Sequence, residues 1–176
     1  MRMGITGYEP SFVFGIEAIQ EAYGARLAAL VGRRLTGFAV VRFVEDGSWF
    51  ADCPVVLDFG GVRVEVCHCY LDRLSIGWND IDTTVAIANW EWFEFTPEWS
   101  GQDERLAPFV GRELREVALL EWSPPEHVRD MARGMVAVEF VFDDGHLRIA
   151  NGLDENTVEL DPAAPEYVRH RLPAPE

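Results

Sequence analysis

The chain contains no lysine: all 15 of its basic residues are arginine, set against 30 acidic ones, and its formal charge is −15. Such an acidic surplus repels phosphate backbones and anionic lipid headgroups, which argues against nucleic-acid and membrane partners. It favours a basic protein as partner and raises the rate of encounter with one. Cysteine is scarce and odd in number, Cys53, Cys67 and Cys69 only. No disulfide framework is expected, and the reducing cytoplasm is the natural compartment. No run reaches the ~18 apolar residues of a membrane span, and Met1 to Pro10 lacks the basic-then-apolar order of a secretory signal. G-x-S-x-G, the P-loop, G-x-G-x-x-G and H-E-x-x-H are all missing, which removes the readily identified hydrolase, nucleotide and zinc-protease chemistries. No catalytic residue and no cofactor is expected on these grounds.

What the chain does have is an apolar fraction of 48%, enough for one domain of 1–176 with a real core. It also has internal self-similarity. Leu30-Val31-Gly32-Arg33-Arg34-Leu35 matches Phe109-Val110-Gly111-Arg112-Glu113-Leu114 at an offset of 79. Val55, Leu57 and Phe59 match Val138, Phe140 and Phe142 at 83, and Val62-Arg63-Val64 matches Leu147-Arg148-Ile149 at 85. Leu71-Asp72 matches Leu153-Asp154 at 82. Four matches in one order point to two diverged copies, 30–82 and 109–161, joined by a connector over 83–108. Two copies are too few for a solenoid, which needs at least about three.

Both copies carry strand patterns. Phe38 to Val44 is echoed by Val117 to Trp122. Val55, Leu57 and Phe59 alternate, turn at Gly60-Gly61 and continue through Val62, Val64 and Val66. Val136 to Phe142 turns at Asp143-Asp144-Gly145 into Leu147 and Ile149. Gly-Gly and Asp-Gly supply the positive φ of hairpin turns. Ile16, Ile19, Tyr23, Leu27 and Leu30 recur at helical spacing, predicting a helix over about 12–31 that Gly32 would cap. Pro125 to Arg133 predicts a short second helix, and the proline-rich tail 162–176 is expected to be extended and partly loose. The expected fold is a β-rich α+β domain: two pseudo-symmetric antiparallel halves, packed as a sandwich or barrel.

Several clusters could carry chemistry. Cys67-His68-Cys69, with Cys53 upstream, has the residue types of a metal site but not the spacing. On a strand Cys67 and Cys69 point away from His68, so structural thiols and a hydrogen-bonded core histidine are expected, with no metal. In the connector, Trp90-Glu91-Trp92-Phe93-Glu94-Phe95 concentrates aromatics beside carboxylates, with Glu98 and Trp99 close behind. As a strand it would cross between the halves, and Trp90, Trp92, Trp99, Glu91 and Glu94 are candidates for contact with a partner or a sugar-like ligand. After the first hairpin, Asp72, Ser75, Trp78, Asn79, Asp80 and Asp82 form a polar edge; Asn151, Asp154, Glu155 and Asn156 hold the related place in the second copy. Turn chemistry explains such residues, and Trp78 and Asp80 join His68 as further candidates.

In size, acidity and lack of catalytic signatures the chain is similar to bacterial immunity proteins, which bind and neutralise a toxin. The likeness is one of composition and covers no motif. It implies a non-catalytic protein that binds another protein. The alternative is a small-molecule binder or small enzyme, its pocket between the two copies near the connector and His68.

Overall fold

The structure, a computed structural model, describes residues 4–88 and 94–172. A two-residue strand β1 (Val13–Phe14) leads into helix α1 (Ile16–Ala28), shorter at both ends than its apolar spacing suggests. Ile19, Tyr23 and Leu27 are buried at four-residue spacing, and Tyr23 donates its hydroxyl proton to the Ser11 carbonyl at 2.8 Å. The helix is capped at Ala29 rather than Gly32. Four strands follow, β2 (Gly37–Phe43), β3 (Val55–Asp58), β4 (Arg63–Cys69) and β5 (Arg73–Trp78), then β6 (Pro97–Ser100). After a 3-10 turn at Ala107–Phe109 come β7 (Leu114–Trp122), β8 (Val136–Phe142), β9 (Gly145–Asn151), β10 (Asn156–Glu159) and β11 (Tyr167–Arg171).

These strands form two antiparallel sheets, ordered β1-β5-β4-β3-β2-β6 and β10-β9-β8-β7-β11. Each has two edge strands, so neither closes into a barrel. The hairpins expected from alternation are present: Val55 faces Val66 and Leu57 faces Val64, while Val138 faces Ile149 and Phe140 faces Leu147. Gly60 and Gly61 both have positive φ, as a tight two-residue turn between twisted strands requires. Gly145 does not play that part. It is the first residue of β9, and a side chain there would press on the Phe109 ring at 3.1 Å.

Both sheets and α1 contribute to one apolar cluster, which includes Leu27, Val40, Leu57, Phe59, Leu119, Val138 and Phe140. The outer face of the first sheet is covered too, by Ile5, Tyr8 and Ile81 packed on Val41, Cys53, Val56 and Cys67. That double covering accounts for the near-continuous apolar run of β3. Between the sheets, Gly32 N–H donates to the Leu114 carbonyl at 2.8 Å, and Gly111 N–H to the Leu35 carbonyl at 2.7 Å. Leu35 N–H donates to Arg112 at 3.0 Å and Leu114 N–H to Arg33 at 2.8 Å. Each bond has a counterpart shifted by 79 residues.

One expectation fails. Pro125–Arg133 forms turns, not a helix. The Arg133 guanidinium donates to the carbonyls of Pro124, Pro125 and Val128, and Asp130 accepts from Ala132 N–H and the Trp122 indole. Side chains thereby take the backbone partners a helix would have used. Within the tail, β11 pairs with β7 over five residues, from Tyr167 opposite Trp122 to Arg171 opposite Ala118. The open edge of β7 offers unpaired backbone groups, and Tyr167 seats edge-on against Trp122, ring centres 5.0 Å apart.

A charge ladder crosses the outer face of the second sheet. Arg148 contacts Glu139 at 3.2 Å and Glu159 at 2.7 Å; Arg169 pairs with Glu139 and, at 2.8 Å, with Glu116. Arg148 and Glu139 are almost fully buried. Arg148 keeps Glu159 and Arg169 keeps Glu116 when Glu139 is removed, so Glu139→Ala is expected to lower unfolding free energy by about 1.5–3 kcal/mol, the loss of charged hydrogen bonds rather than of all compensation, measured by urea denaturation.

Candidate functional site

His68 sits on the inner face of β4, in line with Val64 and Val66, and is buried. Its Nδ1 lies 3.1 Å from Asn156 Oδ1 and its Nε2 3.1 Å from the Val136 carbonyl. Asn156 is locked in turn: Nδ2 donates to the carbonyls of Ala51 and Cys53 at 2.9 Å, and Oδ1 accepts the His68 backbone N–H at 2.9 Å. Burial pushes the imidazole below its ordinary pKa, against the two facing oxygens, which favour the charged form. The group is a clamp between the sheets.

The thiols face the other way. Burial pushes Cys53 up, and pushes Cys67 up to about 12, far from the thiolate that metal binding or nucleophilic attack needs. Cys69 is partly exposed and is also raised, by burial and then by Asp154. Among the described residues no three His, Cys, Asp or Glu side chains are grouped to hold a metal.

Trp78 and Asp80 meet at the end of β5, where Asp80 accepts the Trp78 backbone N–H at 3.3 Å. The Trp78 ring is half-buried, packed on the core, with the Arg26 guanidinium 4.4 Å from its centre. Beside them lies a residue that the motif search passes over. Glu65 is fully buried; its Oε1 accepts Ile81 N–H at 2.8 Å and its Oε2 has no partner. A methyl group on Gly77 would meet Glu65 Oε2 at 2.2 Å and Asp80 Oδ2 at 3.1 Å, so both oxygens overhang Gly77. Burial raises the Glu65 pKa; Ile81 N–H opposes that and Asp80 adds to it. The sequence signal was a lone carboxylate inside the apolar Val64-Glu65-Val66 run.

Trp99, on β6, is half-buried against the outer cluster of the first sheet. Glu94 is exposed at a bend. Trp90, Glu91 and Trp92, and with them most of the expected crossing strand, lie outside the described residues. His68, Trp99 and the Trp78–Asp80 pair are therefore not gathered into one site.

A different patch is exposed where the β4–β5 and β9–β10 turns meet. Met131 is 83% exposed, Leu153 77% and Tyr70 58%. They line, with Leu71, Asp72 and Asp154, an open depression of about 470 Å³. Tyr70, Leu153 and Asp154 all have positive φ, between 53° and 78°, a conformation that costs a side-chain-bearing residue energy and clusters at functional sites. Asp154 accepts the Tyr70 backbone N–H, and the Asn151 side-chain amide donates from Nδ2 to the Tyr70 carbonyl, holding the two turns together. Asp72, Asp154 and Glu155 are exposed around the depression. Burial and then the charges of Glu155 and Asp154 raise the nearby Asp52 carboxyl. The Arg73 guanidinium, 4.9 Å from the Tyr70 ring centre, is the cation stacked there. Only the Leu71-Asp72 and Leu153-Asp154 match hinted at this patch in sequence.

Comparison with protein-family models, with curated proteins and with solved structures finds no match to this chain. No helix among the described residues is long and apolar enough to cross a membrane.

Because the fold raises the Glu65 pKa, the stability held by its protonated form is complete below the ordinary value of 4.5 and is lost as pH rises through the raised folded value. Glu65→Gln keeps an acceptor for Ile81 and removes the titration. It is expected to flatten this pH dependence and to stabilise the protein at pH 8 by about 1 kcal/mol, roughly 2–4 °C in Tm, read by thermal melts across pH. Cys69 is expected to react first with a thiol reagent on the native protein, Cys53 and Cys67 only on unfolding, as peptide mapping of the labelled chain would show.

Proposed function

We propose that this chain is a non-catalytic binding protein whose partner is a basic protein, and that the paired turns around Tyr70, Met131 and Leu153 are the surface it uses. The observation that carries the reading is an exposed apolar centre flanked by the carboxylates of Asp72 and Asp154. Large exposed apolar side chains on a water-facing turn contribute nothing to the core, and left-handed backbone holds two of them there. An interface wants this anatomy, an apolar middle that loses water and a charged rim that orients the partner. The formal charge of −15 favours approach by a cation-rich surface. Three unpaired cysteines fit a reducing compartment such as the cytoplasm.

We further read the two halves as diverged copies of one hairpin-bearing unit, packed face to face as a sandwich. The reciprocal hydrogen bonds between 32–35 and 111–114, the matched hairpin registers and the core that both sheets line support this reading. It places the docking turns at equivalent positions, β4–β5 in one copy and β9–β10 in the other. The small-molecule alternative rests on the aromatic connector, most of which lies outside the described residues, and on His68, whose ring nitrogens face Asn156 and Val136; the cavities at Arg42 and at Tyr70 are lined by other residues.

Purified wild-type protein, used as bait in extract of its source cell at low salt, is expected to retain a basic protein that elutes as salt rises. Leu153→Asp with Met131→Asp, both at exposed positions, is expected to weaken that complex at least about tenfold with Tm unchanged. Equal retention by wild type and double variant, measured with the isolated partner by calorimetry, would count against the turns as the docking surface.

A further inference from the structure

We infer that the cavity between β2 and the segment 102–105 binds a small oxyanion, a carboxylate or phosphate group carried by a small molecule. The cavity has a volume of about 670 Å³ and is lined chiefly by Arg42, Trp49, Gln102, Asp103 and Arg105, within the size range of ligand pockets. It shares no residue with the turn patch, so the two readings stand or fall separately.

Asp103 builds the site. Its side chain is almost wholly buried. Oδ1 accepts the Arg105 backbone N–H at 2.9 Å and Arg105 Nε–H at 3.0 Å. Oδ2 accepts from Arg42 Nη2 at 2.9 Å and from Arg105 Nη2 at 2.7 Å. Four donors fill the lone-pair sites of a carboxylate. Burial alone would raise the Asp103 carboxyl; the bonds to Arg105 and the charges of Arg105 and Arg42 hold it below its ordinary value. Asp103 is thus a saturated anion that positions two cations and has no acceptor capacity left.

The guanidiniums have donors to spare. Each has five N–H groups. Arg42 uses three, on Asp103, Gln102 and Gly47, and Arg105 uses two, both on Asp103, so of ten N–H groups five find an acceptor among the described residues and five do not. Both side chains line the cavity, and their Nη2 atoms share one oxygen of Asp103. Arg105 also stacks on Trp49, its guanidinium carbon 4.4 Å from the ring centre, which fixes the plane of its donor fork. Asp103 and Glu104 balance the two arginines in formal charge, so what the wall offers an anion is its spare, positioned N–H donors. Glu104, also lining the cavity, is exposed and makes no ion pair with either arginine. Preorganised planar forks match carboxylate and phosphate oxygens, and holding them in place before binding lowers the ordering cost.

The test is a titration of 15N-labelled full-length protein at low ionic strength, with inorganic phosphate in one arm, acetate in a second and sodium chloride as ionic-strength control. The arginine Nε–H and tryptophan indole signals are followed. Saturable shifts of Arg42, Arg105 and Trp49 with a Kd of about 1–10 mM are expected, and the arm that binds tighter assigns the ligand to phosphate or carboxylate carriers. Arg42→Gln is expected to weaken binding roughly tenfold. Should that variant unfold, Arg42→Lys decides, since it keeps the charge facing Asp103 but lacks the fork, and the same loss is expected. No saturable shift up to about 50 mM, equal shifts with chloride, or an unchanged Kd in the folded variant would overturn the site.

Discussion

Four backbone hydrogen bonds between 32–35 and 111–114 fix how the two sheets stand to each other. An antiparallel sheet with an apolar inner face is not stable alone; that face must be buried against something. The junction leads directly into β2 on one side and β7 on the other, and so turns Val40 and Leu57 toward Leu119 and Phe140. Leu30, Leu35 and Leu114 are buried at it. The helix, the hairpins and the edge strands are arranged around the core to which both sheets contribute.

Such a core leaves little room for polar groups, and the few it admits are bound by residues remote in sequence. On β4 the side chains alternate: His68 points inward to Asn156 and Val136, while Glu65 points outward to the Ile81 backbone. Both lie in apolar surroundings where an unpaired polar atom is costly. Each His68 ring nitrogen faces an oxygen acceptor, and the neutral ring can donate to one of them; Glu65 has a partner for one oxygen only. The strands thus serve as scaffold. The surfaces able to meet other molecules are displaced to the turns and to the margin of the first sheet, where side chains face water.

How legible this was in the chain depends on the range of the interaction. The hairpins were legible because Gly60-Gly61 and the alternation around it act over a few residues, and α1 because Ile19, Tyr23 and Leu27 share one helical face. The buried character of Cys53, Cys67 and His68 followed from their apolar neighbours. The helix expected over Pro125–Arg133 was a false local signal, since Arg133 and Asp130 bind the backbone in another form. The strand β11 was hidden because its order comes from the edge of β7, not from its own proline-flanked sequence.

The sequence by itself determined the acidic surface, the unpaired thiols, the β-rich character and the hairpin turns, because charge, cysteine count and short-range backbone preference do not depend on what lies across the fold. Only the tertiary structure decided which side chains stand together. Glu65 and Asp80 over Gly77, Arg42 and Arg105 on Asp103, and Tyr70 beside Leu153 and Met131 are separated by 12 to 83 residues where they join different elements. Their proximity is a consequence of strand register and sheet packing, which no local stretch of chain encodes.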